Sequence, residues 1–291
     1  MSGAEKVYKD YDQDQLDMQY NNRERVINHI DIMDSLAKRG TIYANSITSH
    51  KDIAFGEDPD EVLDVYPATN GDPNAPVMIY FHGGFWYSRH KDDFRFIASG
   101  FNDAGATVVV VNYGLIPKID MAELVRQCQA SVAWVYKNIA DHGGDPNKLF
   151  ITGHSAGGHI TGMMLTTDWD KWGVDGAAIK GALAISGIYD LEPIRLTFMN
   201  PTLAFTEDTV AKFSPIHLSP TITPKFVVTV GGAETDEFIR HSEEICDVWA
   251  AAGVECSLDV ISDLNHFTVL SDLTSEGGTL NSHMRTLMGL V

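Results

Sequence analysis

The sequence has few cysteines, few basic residues and no long apolar run, and each shortage excludes a class of protein. Its 3 cysteines are an odd number without a CxxC pair, which favours reduced core residues over a disulfide framework. Only 21 Lys and Arg stand against 40 Asp and Glu, a formal charge of −19 that would repel nucleic acid. No apolar run reaches the length of a membrane span, and the polar first 25 residues contain no signal-peptide core. We therefore expect a soluble, cytoplasmic protein that binds neither nucleic acid nor membrane.

The length, the composition and the alternating pattern of the sequence favour a single α/β domain spanning residues 1–291. A chain of 291 residues, 44% of them hydrophobic, can bury a sizeable core. From about residue 76, short β-rich runs alternate with helical patterns, which is typical of βα units on a mostly parallel sheet with helices on both faces. Apolar runs predict buried strands at 76–81, 106–114, 148–152, 181–186 and 225–230, an edge strand at 254–262, and an antiparallel pair in HKDIAFG and EVLDVYP.

Helical patterns and one irregular segment complete the organisation. Apolar residues at helical spacing predict helices over 121–139 and 238–249. Residues 1–45 are predicted to contribute a polar, helical N-terminal arm. The proline-containing stretch 191–218 breaks the alternation, and we expect it to be an insertion over the carboxyl edge of the sheet, where α/β proteins bind ligands.

The stretch FITGHSAGGH, residues 150–159, contains a candidate nucleophile. Ser155 stands in a GxSxG pattern, which alone is weak, but it directly follows a predicted strand and precedes a helical pattern. Gly153 and Gly157 would keep so tight a turn free of Cβ atoms, and Ser155 would be strained with its hydroxyl raised above the sheet. The alternative interpretation is an ordinary glycine-rich junction between a strand and a helix.

A serine hydroxyl needs a histidine base and a carboxylate that orients the base. In α/β proteins with such an elbow, the acid and then the histidine follow the serine, each in a turn after a later strand. His266 in SDLNHF is the histidine in the expected turn. GGAETDEF offers Glu234 in the turn itself and Asp236 where the next helix should begin, so Glu234 is favoured and Asp236 stays open.

The stretch HGGFW, residues 82–86, follows another predicted strand and is a candidate oxyanion loop. The backbone amides of Gly83 and Gly84, with that of Ala156 after the serine, could donate to a developing oxyanion. His82 is expected to brace the loop through hydrogen bonds. The alternative interpretation of this loop is a tight turn without a catalytic role.

Bulky residues beside this loop are candidates for the substrate pocket. Phe85 and Trp86 could wall the acyl site, although packing alone is the commoner reason for such a cluster. His154 and His159 are five positions apart, a poor spacing for metal ligands on one helical face. We expect neither a metal nor another cofactor.

HGGFW and GGDPNKLFITGHSAGGH together resemble motifs of the α/β-hydrolase superfamily. The sequence resembles the HGG-motif branch of this superfamily, which is related to hormone-sensitive lipase, and within that branch it is most similar to arylformamidases (kynurenine formamidases) and bacterial esterases. The same resemblance is seen in three further stretches, LDMQYNNR, GIYDLEPIR and GGAETDEFIRHS. It implies an α/β-hydrolase fold with a small cap, Ser155 as nucleophile, His266 as base, Glu234 as orienting acid and the three amides as oxyanion hole. Phe85 replaces the branch's usual third glycine, as an aromatic residue does in formamidase-like members, which implies a short acyl group.

These features predict a metal-independent serine hydrolase that removes formyl or acetyl from an aromatic amine or alcohol through an acyl-enzyme. A general carboxylesterase for short-chain esters is the alternative, and a catalytically silent binding protein of the same fold is an alternative of another class. A carboxylate-bearing substrate would need a local cation, for which Arg195 is the candidate. The expected partner is a small-molecule substrate, and a homodimer is compatible with the resemblance.

Overall fold

A computed structural model describes residues 5–290, and a single sheet of eight strands forms its centre. The strands are β1 His50–Ala54, β2 Val62–Tyr66, β3 Ala75–Phe81, β4 Thr107–Val111, β5 Gly144–His154, β6 Ile179–Ile185, β7 Lys225–Gly231 and β8 Cys256–Ile261. Their order across the sheet is β1-β2-β4-β3-β5-β6-β7-β8. The β1–β2 and β2–β4 pairs are antiparallel and the others are parallel, which confirms the predicted mostly parallel sheet.

Helices cover both faces of this sheet, as predicted. They are α1 Gln13–Tyr20, α2 Asn22–Arg25, α3 His29–Ser46, α4 Met121–Asn138, α5 Ala156–Leu165, α6 Glu192–Arg195, α7 Asn200–Leu203, α8 Glu207–Phe213, α9 Asp236–Ala251, α10 Thr268–Leu273 and α11 Thr279–Met288. Short 3-10 segments lie at Lys91–Gly100, Ile139–His142, Trp169–Trp172, Gly176–Ala178 and Pro215–His217. Within residues 5–290, every helix is too short or too polar to span a bilayer.

Strand β3 shows why the central strands read as unbroken apolar runs. Val77, Ile79 and Phe81 point into a core that α4 and α5 share. Met78 and Tyr80 point to the opposite face, into a core shared with α3 and α11. Because successive side chains in a strand alternate between faces, a strand covered on both faces must be apolar throughout.

Some strands extend beyond their predicted bounds because their terminal residues are polar. Strand β5 begins at Gly144, four residues before the predicted start, because Gly144 pairs with Ala75 through backbone groups although DPNK is polar. Strand β8 lies at the sheet edge as predicted, and its Val260 is 40% exposed there. Backbone pairing requires no apolar side chain, so hydrophobicity alone cannot define such strand ends.

Two segments lie outside the βα alternation. The predicted N-terminal arm carries α1, α2 and α3; residues 1–4 and 291, part of the predicted single domain, lie outside the described residues. Segment 191–218 carries α6, α7, α8 and the 3-10 turn Pro215–His217. Its apolar residues Leu203, Phe205 and Val210 are buried in the core that includes α4 and α5.

Candidate active site

Ser155, the predicted nucleophile, lies on a sharp turn between β5 and α5. Its backbone angles are φ 57° and ψ −118°, a conformation that a residue with a side chain adopts only under strain. The Ser155 N–H donates to the carbonyl of Ile185 on the neighbouring strand at 2.9 Å, which holds the turn in place. The strand–turn–helix geometry expected of a nucleophile elbow is therefore present.

The glycines on either side of Ser155 are required by close backbone approach. A Cβ on Gly153 would collide with the carbonyl of Gly157, and one on Gly157 would collide with the carbonyl of Phe81. Backbone atoms cannot move aside as a flexible side chain can. Substitution of either glycine would therefore open the turn that raises Ser155.

Glu234 and His266 form a buried pair at the carboxyl ends of β7 and β8. The His266 Nδ1–H donates to Glu234 Oε2 at 2.6 Å, and each residue is 5% exposed. The other carboxylate oxygen accepts from Ser186 Oγ at 2.5 Å and from the Gly231 N–H at 2.9 Å. A proton held on Nδ1 leaves Nε2 with a lone pair, the form that a general base requires.

The structure also distinguishes the two carboxylates that the sequence left open. Asp236 is the exposed first residue of α9, whereas Glu234 contacts His266 from the preceding turn. Glu234, and not Asp236, is therefore the carboxylate in contact with the imidazole.

Ser155 and His266 line one cavity of about 460 Å³, counting its open mouth. Among residues 5–290, no hydrogen bond joins the two side chains directly. In serine hydrolases without substrate, this catalytic contact is often long and shortens in the complex. The apolar wall of the cavity has the size and character of a site for a small aromatic molecule; it consists of Met33, Phe85, Phe94, Phe267 and Leu270.

The glycines of the HGGFW loop line the same cavity. Gly83 and Gly84 line it beside Ser155, and Ala156 is the first residue of α5. Within the described part of the chain, the amides of these three residues donate to no protein acceptor. Free amides at a helix N-terminus and an adjacent glycine loop can stabilise an oxyanion.

His82 braces the glycine loop, as expected from the sequence. Its Nδ1–H donates to the carbonyl of Gly83 at 2.8 Å, and its ring stacks on Tyr113 with centroids 4.2 Å apart. The Tyr113 hydroxyl donates to the His82 carbonyl at 2.6 Å. Complete burial lowers the pKa of His82 to about 4, so the ring is neutral at pH 7. Its packing and hydrogen bonds hold the glycine loop in place.

Of the two predicted pocket aromatics, only one lines the cavity. Phe85 faces it, but Trp86 is fully buried, and its Nε1–H donates to His159 Nδ1 at 3.2 Å. Trp86 also packs on Phe205, with ring centroids 5.7 Å apart. The prediction for Trp86 is wrong because its ring is buried against His159 and Phe205 and does not reach the cavity.

Two further candidates for the surroundings do not line the cavity. Arg195 donates to Glu192 through Nε at 2.7 Å and Nη2 at 2.6 Å, and it does not line the cavity. Among the described residues, no member of 191–218 lines it either, because this segment is packed on α4 and α5. The N-terminal arm supplies that wall instead.

Three polar residues of the cavity were not predicted. Asn22 and Arg23 come from α2, and Arg89 from the loop after HGGFW. The one signal for the first two was their place in LDMQYNNR, part of the family resemblance. No pattern in the sequence marked Arg89.

Comparison with known proteins places this geometry in a family. A family model described as BD-FAE matches residues 63–243. A kynurenine formamidase of Danio rerio is 36% identical over 261 residues, covering 88% of this chain and 87% of the relative. A kynurenine formamidase of Salmo salar is 31% identical over 294 residues, covering 97% of this chain and 98% of the relative.

A solved structure agrees at the level of the fold. A crystal structure from Silicibacter sp. superposes with a TM-score of 0.82 at 24% identity, covering 92% of this chain and 98% of that one. The chain therefore belongs to the BD-FAE family, within the α/β-hydrolase fold, and is a hydrolase of ester or amide bonds.

Proposed function

We propose that this protein is an arylformamidase-like serine hydrolase, which removes a formyl or other short acyl group from an aromatic amine. The observation that carries the proposal is the strained Ser155 in one aromatic-walled cavity with His266, whose Nδ1 is held by Glu234. The two kynurenine formamidases at 36% and 31% identity support the formamide over other acyl compounds.

Each group has a defined role in the proposed reaction. His266 Nε2 takes the Ser155 proton as Oγ attacks the acyl carbon, and the oxyanion accepts from the amides of Gly83, Gly84 and Ala156. The imidazolium then protonates the departing nitrogen, which is essential because an arylamide anion is a poor leaving group. Water, deprotonated by the same imidazole, then attacks the acyl carbon; the bond to Ser155 Oγ breaks, the imidazolium returns its proton to Oγ, and formate or another short acid is released.

The cavity supports a short acyl group and an aromatic leaving group. Phe85 follows the glycine loop directly, is 8% exposed and has φ 50°, so its ring occupies space beside the reacting carbonyl. Phe94, Phe267 and Leu270 provide further apolar area in the cavity for an aromatic ring. The cysteines Cys128, Cys246 and Cys256 are free thiols, which supports a reducing compartment such as the cytoplasm.

The test compares kcat/KM for N-formylkynurenine and p-nitrophenyl acetate, with Ser155→Ala as the control. We expect turnover of both by the wild type, a higher value for the formamide, and loss of both in the variant. A ratio far below one would assign the protein as a short-chain carboxylesterase. No hydrolysis of either compound would favour a binding protein.

A further inference from the structure

Four neighbouring side chains behind the active site each carry a buried polar atom without a partner. Within residues 5–290, no hydrogen bond is made by Tyr80 Oη, His82 Nε2, Thr152 Oγ1 or His154 Nε2, and each of these residues is at most 4% exposed. These four residues are called the polar block below. Buried polar groups are rarely left unpaired in native proteins, so four at adjacent positions indicate a common cause.

The strand register brings the polar block together. Tyr80 on β3 pairs with Thr152 on β5, and His82 and His154 stand two residues further along the same two segments. Side chains two apart in a strand share one face, and neighbouring strands lie about 4.8 Å apart. Tyr80 and His82 also pack on the same ring, that of Phe94, with centroids 5.8 and 5.5 Å away. The polar block is therefore a compact group at the carboxyl ends of β3 and β5.

The residues around the polar block are apolar. Met78 and Phe150, one step back along β3 and β5, belong to the core shared with α3 and α11, as do Leu183 and Ile185 on β6. A strand position in such a core is normally apolar. Packing alone therefore does not account for polar side chains at four adjacent positions.

The chemistry of the polar block suits an uncharged ligand that both donates and accepts. Burial raises the pKa of Tyr80 and lowers the pKa values of His82 and His154, so these groups are neutral at pH 7. His82 Nδ1–H donates to the Gly83 carbonyl, which leaves Nε2 as an acceptor. The hydroxyls of Tyr80 and Thr152 each have a proton to donate. Water can pair with both kinds of group.

His154 connects the polar block to the catalytic histidine. Its ring centroid lies 4.5 Å from that of His266, and the ring planes are tilted by 49°. Phe238 packs on the same imidazole, with centroids 4.6 Å apart. Glu234 holds His266 at one atom, Nδ1, so the imidazole can still pivot about that bond. The contacts with His154 and Phe238 limit this pivot.

We propose that the polar block binds one or more internal water molecules, and that this water holds the His154 ring in place against His266. His154 is then a positioning residue, because it acts on the reaction through the catalytic imidazole. The water site rests on the unpaired groups alone, and its effect on catalysis rests on the proposed function.

A crystal structure at atomic resolution tests the water site directly. We expect an ordered water within about 3.2 Å of at least two of the four unpaired atoms. A site without water density, or side chains that rotate to bond to one another, would overturn the water site.

The sign of a stability change tests the water site in solution. Thr152→Val removes the hydroxyl at nearly constant volume. A hydroxyl bonded to water would be missed, so the urea midpoint would fall, whereas removal of an unpaired buried hydroxyl should raise it. Thr107→Val on β4 calibrates the assay, because its buried hydroxyl donates to the Gly143 carbonyl at 2.7 Å and its loss must lower the midpoint. We expect both midpoints to fall; an unchanged or raised midpoint in Thr152→Val overturns the water site.

Turnover of p-nitrophenyl acetate tests the effect on His266. The Tyr80→Phe/Thr152→Val variant removes two hydroxyls of the polar block, and neither residue lines the cavity. We expect kcat to fall roughly five-fold or more while KM stays within about two-fold, because a loosened base slows the chemistry and leaves binding intact. An unchanged kcat, or an equal change in KM, overturns the positioning role.

Two substitutions of His154 separate a hydrogen-bonded role from simple packing. His154→Leu fills space without a polar atom and should lower kcat roughly ten-fold or more, whereas His154→Gln can still bond to water and should recover much of that loss. Equal kcat values in the two variants would contradict the positioning role.

The outcomes also separate this proposal from the proposed function. A wild type that hydrolyses the acetate and not the formamide overturns only the proposed substrate. A wild type inactive on both compounds overturns the proposed function and the positioning role together, while the crystal structure and the Thr152→Val midpoint still decide the water site.

Discussion

Glu234 is held at His266 by more contacts than the sequence could reveal. Both of its oxygens are occupied, one by the imidazole and one by Ser186 and the Gly231 amide. Glu234→Gln keeps the volume but removes the charge that favours Nδ1–H and stabilises the imidazolium. We expect kcat/KM for p-nitrophenyl acetate to fall by about 10²- to 10⁴-fold.

Asp236 provides the matched control for this substitution. It is two residues away and exposed, so Asp236→Asn should change kcat/KM less than about two-fold. Equal losses in the two variants would contradict the role assigned to Glu234.

Phe85 should set the length of the acyl group. Phe85→Ala removes a ring from the cavity wall next to the glycine loop, so a longer acyl chain gains room. We expect the ratio of kcat/KM for p-nitrophenyl butyrate to that for the acetate to rise about ten-fold. Phe94→Leu, which keeps an apolar side chain in the lining and leaves Phe85 in place, should shift this ratio much less. An unchanged ratio in Phe85→Ala would place the acyl group elsewhere.

Residues in a motif with fixed local geometry were predictable, and residues positioned by tertiary packing were not. Ser155 and His266 could be chosen because each must follow a strand of the sheet. The prediction for Trp86 failed because the sequence does not show which aromatic residue of a turn is buried against neighbouring elements. Arg89 carried no signal, since only the folded loop brings it to the cavity.

At the scale of the element, the N-terminal arm is joined to α9 by a buried network. The Tyr20 hydroxyl, at the end of α1, donates to Glu237 Oε2 at 2.9 Å. It accepts from His241 Nε2–H at 2.9 Å, since His241 Nδ1 accepts the Tyr189 and Asp190 amides. The arm's position over the cavity therefore depends on contacts made immediately after the Glu234 turn.

Tyr20→Phe should destabilise the protein measurably. The change leaves two buried polar groups, on Glu237 and His241, without their shared partner, so we expect the free energy of unfolding to fall by about 1–3 kcal/mol. Urea denaturation at pH 7.5 measures it. Tyr43→Phe on α3 removes an exposed contact of 3.4 Å to Asp103 and should cost less than about 0.5 kcal/mol. Equal costs would mean that the network does not stabilise the arm.

The strands could be predicted from sequence, but the wall of the cavity could not. Buried strands must be apolar on both faces, so their runs stand out in the sequence. The arm and segment 191–218 are both mixed in pattern, and only packing decides which one reaches the cavity. Segment 191–218 is held away from it by Phe205 and Val210, which are buried in the core.

At the scale of the whole molecule, four histidines are buried in their neutral form. Burial lowers the pKa of His82 and His159 to about 4, and it lowers the pKa of His154 and His241 well below the ordinary value. Hydrogen bonds agree for His159: Nε2–H donates to the Phe213 carbonyl, and Nδ1 accepts from Trp86. A second proton, on Nδ1, would face the Trp86 Nε1–H, which is itself a donor.

These pKa shifts make stability depend on pH in a defined direction. The unfolded chain takes up protons on histidine near pH 6.5 and the folded protein does so only near pH 4. The unfolded state therefore binds more protons between these values, and the free energy of unfolding must fall as pH falls through this window. The slope is about 1.4 kcal/mol per pH unit for each such histidine.

The net charge acts in the opposite direction and allows a clear test. Acidification reduces the charge of −19 and its self-repulsion, which favours the compact state. Because several histidines act together, we expect their effect to dominate, so that the urea midpoint falls steadily from pH 7 to pH 5. His159→Gln, with one amide donor and one acceptor for the same partners, should make the accompanying decline in the free energy of unfolding shallower by about 1.4 kcal/mol per pH unit below pH 6.5. A midpoint that rises on acidification would show that charge repulsion, and not the neutral histidines, governs the acid response.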